Sequence, residues 1–123
     1  MTWTIAETST HQDHVIAHVI GATPQGHFIW DETAYILLDI GFIWNIYLDM
    51  QMGLLPQGVA IAELGTDEIT MQDLEGLGPI QTVELFESGE ERRLVLVCDQ
   101  GSLAVETDIS HRRTRIIADA SVA

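Results

Sequence analysis

A chain of 123 residues, 46% of them apolar and 20% charged, is long enough for one domain with its own core; two independent domains would each be marginal. Its formal charge of -14 excludes nucleic acid and anionic membrane surfaces as natural partners, because both need Lys and Arg that this chain lacks. The first ninety-one residues carry fifteen carboxylates and no Lys or Arg. All five basic side chains, Arg92, Arg93, Arg112, Arg113 and Arg115, come after them.

Such an acidic field suits solubility, or a basic protein partner. The mean hydropathy of +0.16 is high for so acidic a chain, which leaves apolar surface for a subunit interface and predicts a homo-oligomer, a dimer being the simplest case. The start of the chain has no basic, apolar signal-peptide pattern, and a soluble cytoplasmic protein is the expectation.

Val15 to Ile20 has the β-branched composition of a strand, and His27 to Trp30 is a second short strand. Between them GATPQG reads as a turn, an irregular edge or a bulge within one bent strand. Ala34 to Leu38 and Phe42 to Leu48 follow, joined through Asp39 to Gly41, where glycine accepts a backbone shape other residues resist. Along Phe42 to Asp49 one alternating face is wholly apolar and the other turns polar only near its end. That is the pattern of a strand packed on a core and partly covered outside. One helix over Ala34 to Leu48 is the competing reading.

Gly53 to Gly58 reads as a loop and Val59 to Leu64 as a short mixed segment. Thr66 to Gly78 reads as a helix centred on residues 67–75, with Thr66 as cap, Asp67 and Glu68 in the first turn and Gly76, Gly78 and Pro79 as its stop. The last third predicts an antiparallel meander of Gln81 to Glu87, Arg92 to Cys98, Ser102 to Asp108 and Arg113 to Asp119. The charge shift at residue 91 falls inside a hairpin and marks no domain boundary. The expected fold is mainly β, or α+β: an antiparallel sheet or small barrel-like meander with one short helix, forming a single acidic domain over residues 1–123.

His11, His14, His18 and His27 are the candidate metal ligands, with Asp31 or Glu32 to complete a site for a divalent transition metal. A helix would align the first three on one side. A strand would separate His14 from His18 by about 13 Å. Asp39 reads as a turn residue, and Asp67, Glu68 and Asp73 lack calcium-loop spacing. Cys98, in LVLVCDQG, reads as a buried hydrophobe whose neighbour Asp99 opposes thiolate formation. No glycine-rich phosphate loop and no nucleophile elbow occur, so no nucleotide is expected.

Phe28, Trp30, Phe42, Trp44 and Tyr47 are the candidate interface or pocket aromatics. Arg93, Arg113 and Arg115 are the candidate anion contacts, and in a meander they can also reach Glu84, Glu106 or Asp108 on neighbouring strands. The leading functional expectation is a non-catalytic protein-interaction or self-associating module. A small metal-dependent enzyme and an aromatic-lined small-molecule binder are the alternatives.

Overall fold

A computed structural model describes residues 2–58 and 71–120 of the chain. In chain order these form β1 (Thr4–Ile5), α1 (Thr10–Val19), β2 (Pro24–Trp30), β3 (Thr33–Leu38), β4 (Phe42–Ile46), a 3-10 turn at Leu48–Met50, and β5 (Met52–Pro56). They continue with β6 (Gln72–Asp73), β7 (Ile80–Ser88), β8 (Glu91–Cys98), β9 (Gly101–Asp108) and β10 (Arg113–Ala120). The fold is mainly β, as the alternating patterns imply. Two five-stranded sheets form, β1-β7-β8-β9-β10 and β5-β4-β3-β2-β6, every pairing is antiparallel, and neither closes into a barrel.

One core is shared by both sheets and the helix. Ile36, Trp44 and Ile46 from the second sheet meet Leu94, Leu96, Leu103 and Val105 from the first, with Val15 and Val19 of α1 in the same cluster. A second, smaller cluster lies on the other face of the second sheet: Phe28, Tyr35 and Ile43, with Trp30, Leu37 and Met71 against them. Trp44 and Ile43 are adjacent in sequence and both fully buried, so β4 is covered on both faces. This is the expected strand, and the single helix over residues 34–48 does not form.

Three local readings are corrected. Val15 to Val19 is helix, not strand, and Ile20 is its C-cap. Ser9 accepts from the Gln12 N–H and the Gln12 side chain accepts from the Ser9 N–H, a capping box that starts α1. Val15 and Val19 then stand one turn apart on the core side, so packing overrides the strand preference of the β-branched residues. Gly53 to Gly58 is largely strand β5, paired to β4 from Phe42↔Pro56 to Ile46↔Met52. Pro56 is tolerated because β5 is an edge strand. Of the helix placed around residues 67–75, the part up to residue 70 lies outside the described residues, as does Val59 to Leu64. The rest is extended, with Gln72 and Asp73 pairing to His27 and Gly26.

Turn lengths set the register of the first sheet. Two-residue turns at Gly89–Glu90 and Asp99–Gln100 join β7 to β8 and β8 to β9. The second is held from outside: the Asp99 N–H donates to the Pro79 carbonyl at 3.1 Å and the Gln100 N–H to the Leu77 carbonyl at 2.8 Å. Gly78 allows this approach, because a Cβ there would stand 3.0 Å from the Asp99 Cβ on a backbone at φ +74°. In the β3–β4 turn, Gly41 has φ +82° as its position predicts, and Asp39 accepts from the Thr23 N–H at 2.9 Å as a turn residue.

Candidate functional site

The charged end of the first sheet follows from that register. Arg93 of β8, Glu106 of β9 and Arg115 of β10 stand directly opposite one another on adjacent strands. Two residues along, on the same face, Glu91, Asp108 and Arg113 form a second row. In the first row Glu106 takes both arginines: the Arg93 Nε lies 3.2 Å from Oε2, and the Arg115 Nε donates to Oε1 at 2.7 Å. Trp3 sits beside this row, with the Arg93 guanidinium 6.0 Å from its ring centroid, at the outer limit of a cation–π contact.

The second row is paired differently. Asp108 faces Glu91 on one side and Arg113 on the other, yet forms an ion pair with neither among the described residues. Its partners are local: His111 Nδ1 donates at 2.8 Å and the Ser110 hydroxyl at 3.0 Å. Burial pushes the Asp108 carboxyl up, but these side-chain bonds and the His111 N–H outweigh it and hold the carboxyl below its ordinary range. Its contribution to stability is present above that range and lost as pH falls through the lowered value.

These three residues include a serine, a histidine and an aspartate, but not in a nucleophile's geometry. Ser110 and Asp108 both approach the same ring nitrogen, Nδ1, at 3.2 and 2.8 Å. A base that activates serine must offer it the nitrogen that the carboxylate leaves free. The trio closes the β9–β10 turn instead.

The two sheets are joined at this end by Glu32. Asp31 and Glu32 form the two-residue β2–β3 turn, with φ of 49° and 65°, the primed geometry a tight hairpin needs. Arg112 grips the Glu32 carboxylate with two bonds, of 3.1 and 2.8 Å, and the Thr114 hydroxyl donates to the Glu32 carbonyl at 2.8 Å. Those bonds raise the Arg112 guanidinium above its ordinary value. A groove of about 510 Å3 results, lined by Trp3 and Ile29 as well as by the charged rows, with Thr107 its most buried wall.

The sequence-derived candidates are distributed as follows. Of the anion contacts, Arg93 and Arg115 are held by Glu106, whereas Arg113 has no ionic partner among the described residues. Arg92 lies on the opposite face of β8, 3.5 Å from Asp49 and 3.8 Å from Glu87. The five aromatics do not share one surface: Trp44 is in the main core and Phe28 in the second cluster with Trp30, while Phe42 and Tyr47 remain partly exposed.

His11, His14 and His18 lie on α1 and not on a strand, so the 13 Å separation does not apply. His11 Nε2 donates to the Met52 carbonyl at 2.9 Å, an edge group of β5, and His18 Nδ1 to the His14 carbonyl at 2.9 Å. His27 is on β2, opposite Ile36. Among the described residues no three His, Cys, Asp or Glu side chains gather so as to hold a metal ion. Cys98 is buried, and that burial raises its thiol pKa.

His27 carries a pH prediction. Half-buried, it loses water contact and its imidazole pKa is pushed below the ordinary value. The unfolded chain takes up this proton near pH 6.5 while the folded chain resists it. Stability is therefore full above about pH 6.5 and falls below it, toward the lowered folded value. His27→Gln is expected to flatten that limb in urea midpoints measured between about pH 7 and pH 5. An unchanged slope assigns the limb to other groups.

Ile29, Thr107 and Glu91 escaped the sequence reading as site residues. The signal for Glu91 was present: a two-residue turn at Asp99–Gln100 places Glu91 opposite Asp108 as surely as it places Arg93 opposite Glu106. No family model, no curated protein and no solved structure matches this chain. Among the described residues, no helix is long and apolar enough to cross a membrane.

Proposed function

We propose that this chain is a non-catalytic association module that pairs with a second copy of itself along the outer edge of β10. The supporting observation is the character of that edge. β10 runs eight residues in unbroken register against β9, without bulge, proline or lysine, and ends the sheet. Its first residues are tied to the β2–β3 turn through Thr114. Beyond them, the outward backbone groups have no backbone partner among the described residues, and Ile117 is 41% exposed.

An edge of this length, whose arginines stand near its start and leave Ile116 to Ala118 uncharged, is a template for strand addition. The other long edge is blunted: β5 ends in Pro56, and the Met52 carbonyl accepts from His11. Charge points to the same edge. Two chains of formal charge -14 repel, and three of the five arginines, Arg112, Arg113 and Arg115, lie in or just before β10. Repulsion between copies is therefore least along this edge, and salt screening favours the pair.

Light scattering at several salt concentrations tests the reading. The expected mass is that of two chains, with the dimer strengthened as salt rises from low values. Ile117→Lys places a charge on the edge and is expected to weaken pairing at least about tenfold with the fold intact. A strict monomer under every condition sinks the proposal, and a variant that still dimerises sinks the assignment to β10.

A further inference from the structure

The ladder of the first sheet fixes which backbone groups of β10 face outward. The Ile109 N–H donates to the Glu90 carbonyl at 2.9 Å, one step beyond the facing pair Asp108 and Glu91. Hydrogen-bonded and non-hydrogen-bonded pairs alternate along an antiparallel ladder. Odd-numbered residues of β9 therefore bond to β8 and even-numbered ones to β10. The partners of the even-numbered ones, Arg113, Arg115, Ile117 and Asp119, turn their backbone groups inward. Thr114, Ile116, Ala118 and Ala120 turn theirs to the sheet edge.

Three constraints act on a second copy at this edge. Two-fold pairing about an axis normal to the sheet is antiparallel, as every pairing in both sheets already is. Facing side chains must share a face, so the axis passes at a residue and not between two. The start of β10 is occupied: Thr114 donates to the Glu32 carbonyl at 2.8 Å, and Arg112 holds the Glu32 carboxylate. An axis at Ile116 or earlier carries the partner's Asp119 to Arg113 or beyond, against that turn. An axis at Ala118 sets Ile117 against the partner's Asp119, apolar against charged, and a later axis shortens the contact.

We propose that the two-fold axis of the dimer passes at Ile117, an inference that rests on the pairing at β10. Ile117 then faces the partner's Ile117, and Arg115 faces the partner's Asp119 on each side of the axis. These are the non-hydrogen-bonded positions, with facing Cα atoms about 4.5 Å apart. Ile116 and the partner's Ala118 exchange the backbone hydrogen bonds that both offer outward. Arg93, Glu106 and Arg115 already alternate in sign across three strands, and the partner's Asp119 continues the row. Opposite charges directly across a strand pair stabilise it. The two five-stranded sheets become one continuous sheet across the axis.

Single cysteines in a glutathione redox buffer read this register, since the native Cys98 is buried on β8. A disulfide spans Cα atoms about 4.4–6.8 Å apart, which includes facing positions and leaves out diagonal ones at roughly 7–8 Å. Ile117→Cys is expected to link to itself, and Ile116→Cys is not. Arg115→Cys and Asp119→Cys are expected to link when mixed, at least about tenfold more than either does alone. Intact mass separates mixed from self-linked pairs. Arg115→Glu and Asp119→Lys each set like charges face to face and are expected to weaken self-pairing about tenfold, yet to pair with one another when mixed. Circular dichroism of each variant reports its fold. Light scattering of the native chain separates the two readings. A monomer overturns both. A dimer in which Ile116→Cys links to itself, or in which Ile117→Cys links to Arg115→Cys or Asp119→Cys in place of itself, overturns this register alone.

Discussion

Trp44→Ala is expected to destabilise the fold by about 3–5 kcal/mol, a range typical of large aromatic deletions from a core. Trp44 is fully buried on the β4 face that meets the first sheet, with Ile36 and Ile46 beside it. Its removal leaves a cavity between two sheets that cannot easily close, because each is fixed by its own ladder. Trp44→Phe is expected to cost far less. It keeps a ring in place and deletes the indole N–H, which is buried with no hydrogen-bond partner and costs roughly 1–3 kcal/mol as it stands. Urea unfolding of both variants at two protein concentrations checks this. A loss that shrinks with dilution would place Trp44 at a subunit contact rather than in the core of one chain.

Phe28→Ala is the second large effect, again about 3–5 kcal/mol, but it acts on the other face of the same sheet. Phe28 is 3% exposed and stacks on Tyr35, with centroids 4.7 Å apart and planes 10° from parallel. That stack adds roughly 0.5–1.5 kcal/mol to the burial itself. Phe28→Leu keeps most of the buried hydrocarbon and loses the stack, so it is expected to fall between Phe28→Ala and the native protein. The two alanine variants should differ in where they loosen the chain. Hydrogen exchange in Phe28→Ala is expected to quicken first in β2 and β3, whereas Trp44→Ala exposes both sheets together. Identical exchange patterns would show that the two clusters behave as one core.

Several parts of this arrangement were legible residue by residue. The alternation of Leu94, Leu96 and Cys98 against Val95 and Val97 marks β8 as a central strand covered on both sides; it is the middle strand of its sheet, but only the face with Leu94, Leu96 and Cys98 is buried, Val95 and Val97 being partly exposed. The wholly apolar face of β4, and the other turning polar only near its end, marked a strand packed on a core and partly covered outside; both faces are in fact covered, Trp44 on one and Ile43 on the other. Arg93 and Arg115 were recognised as able to reach Glu106, because hairpin turns as short as Asp99–Gln100 leave one register open. The early helix was misread because Val15, Ile16, Val19 and Ile20 have strand composition, while Ser9 and Gln12, which start the helix, lie before that run. The loop reading of Gly53 to Gly58 rested on Gly and Pro, which an edge strand tolerates.

The sequence by itself determined strands β3 and β4, the meander of β7 to β10 with its turns, and hence the local pairing that sets Arg93, Glu106 and Arg115 in one row. Those features depend on side-chain periodicity and turn length, which are local properties of the chain. Only the tertiary structure decided which sheet faces which. It brought Glu32 from the β2–β3 turn to Arg112, 80 positions later, and set Ile29 and Trp3 beside Arg113. Such neighbours come from how two sheets close over one shared core, and no period or spacing along the chain encodes that closure.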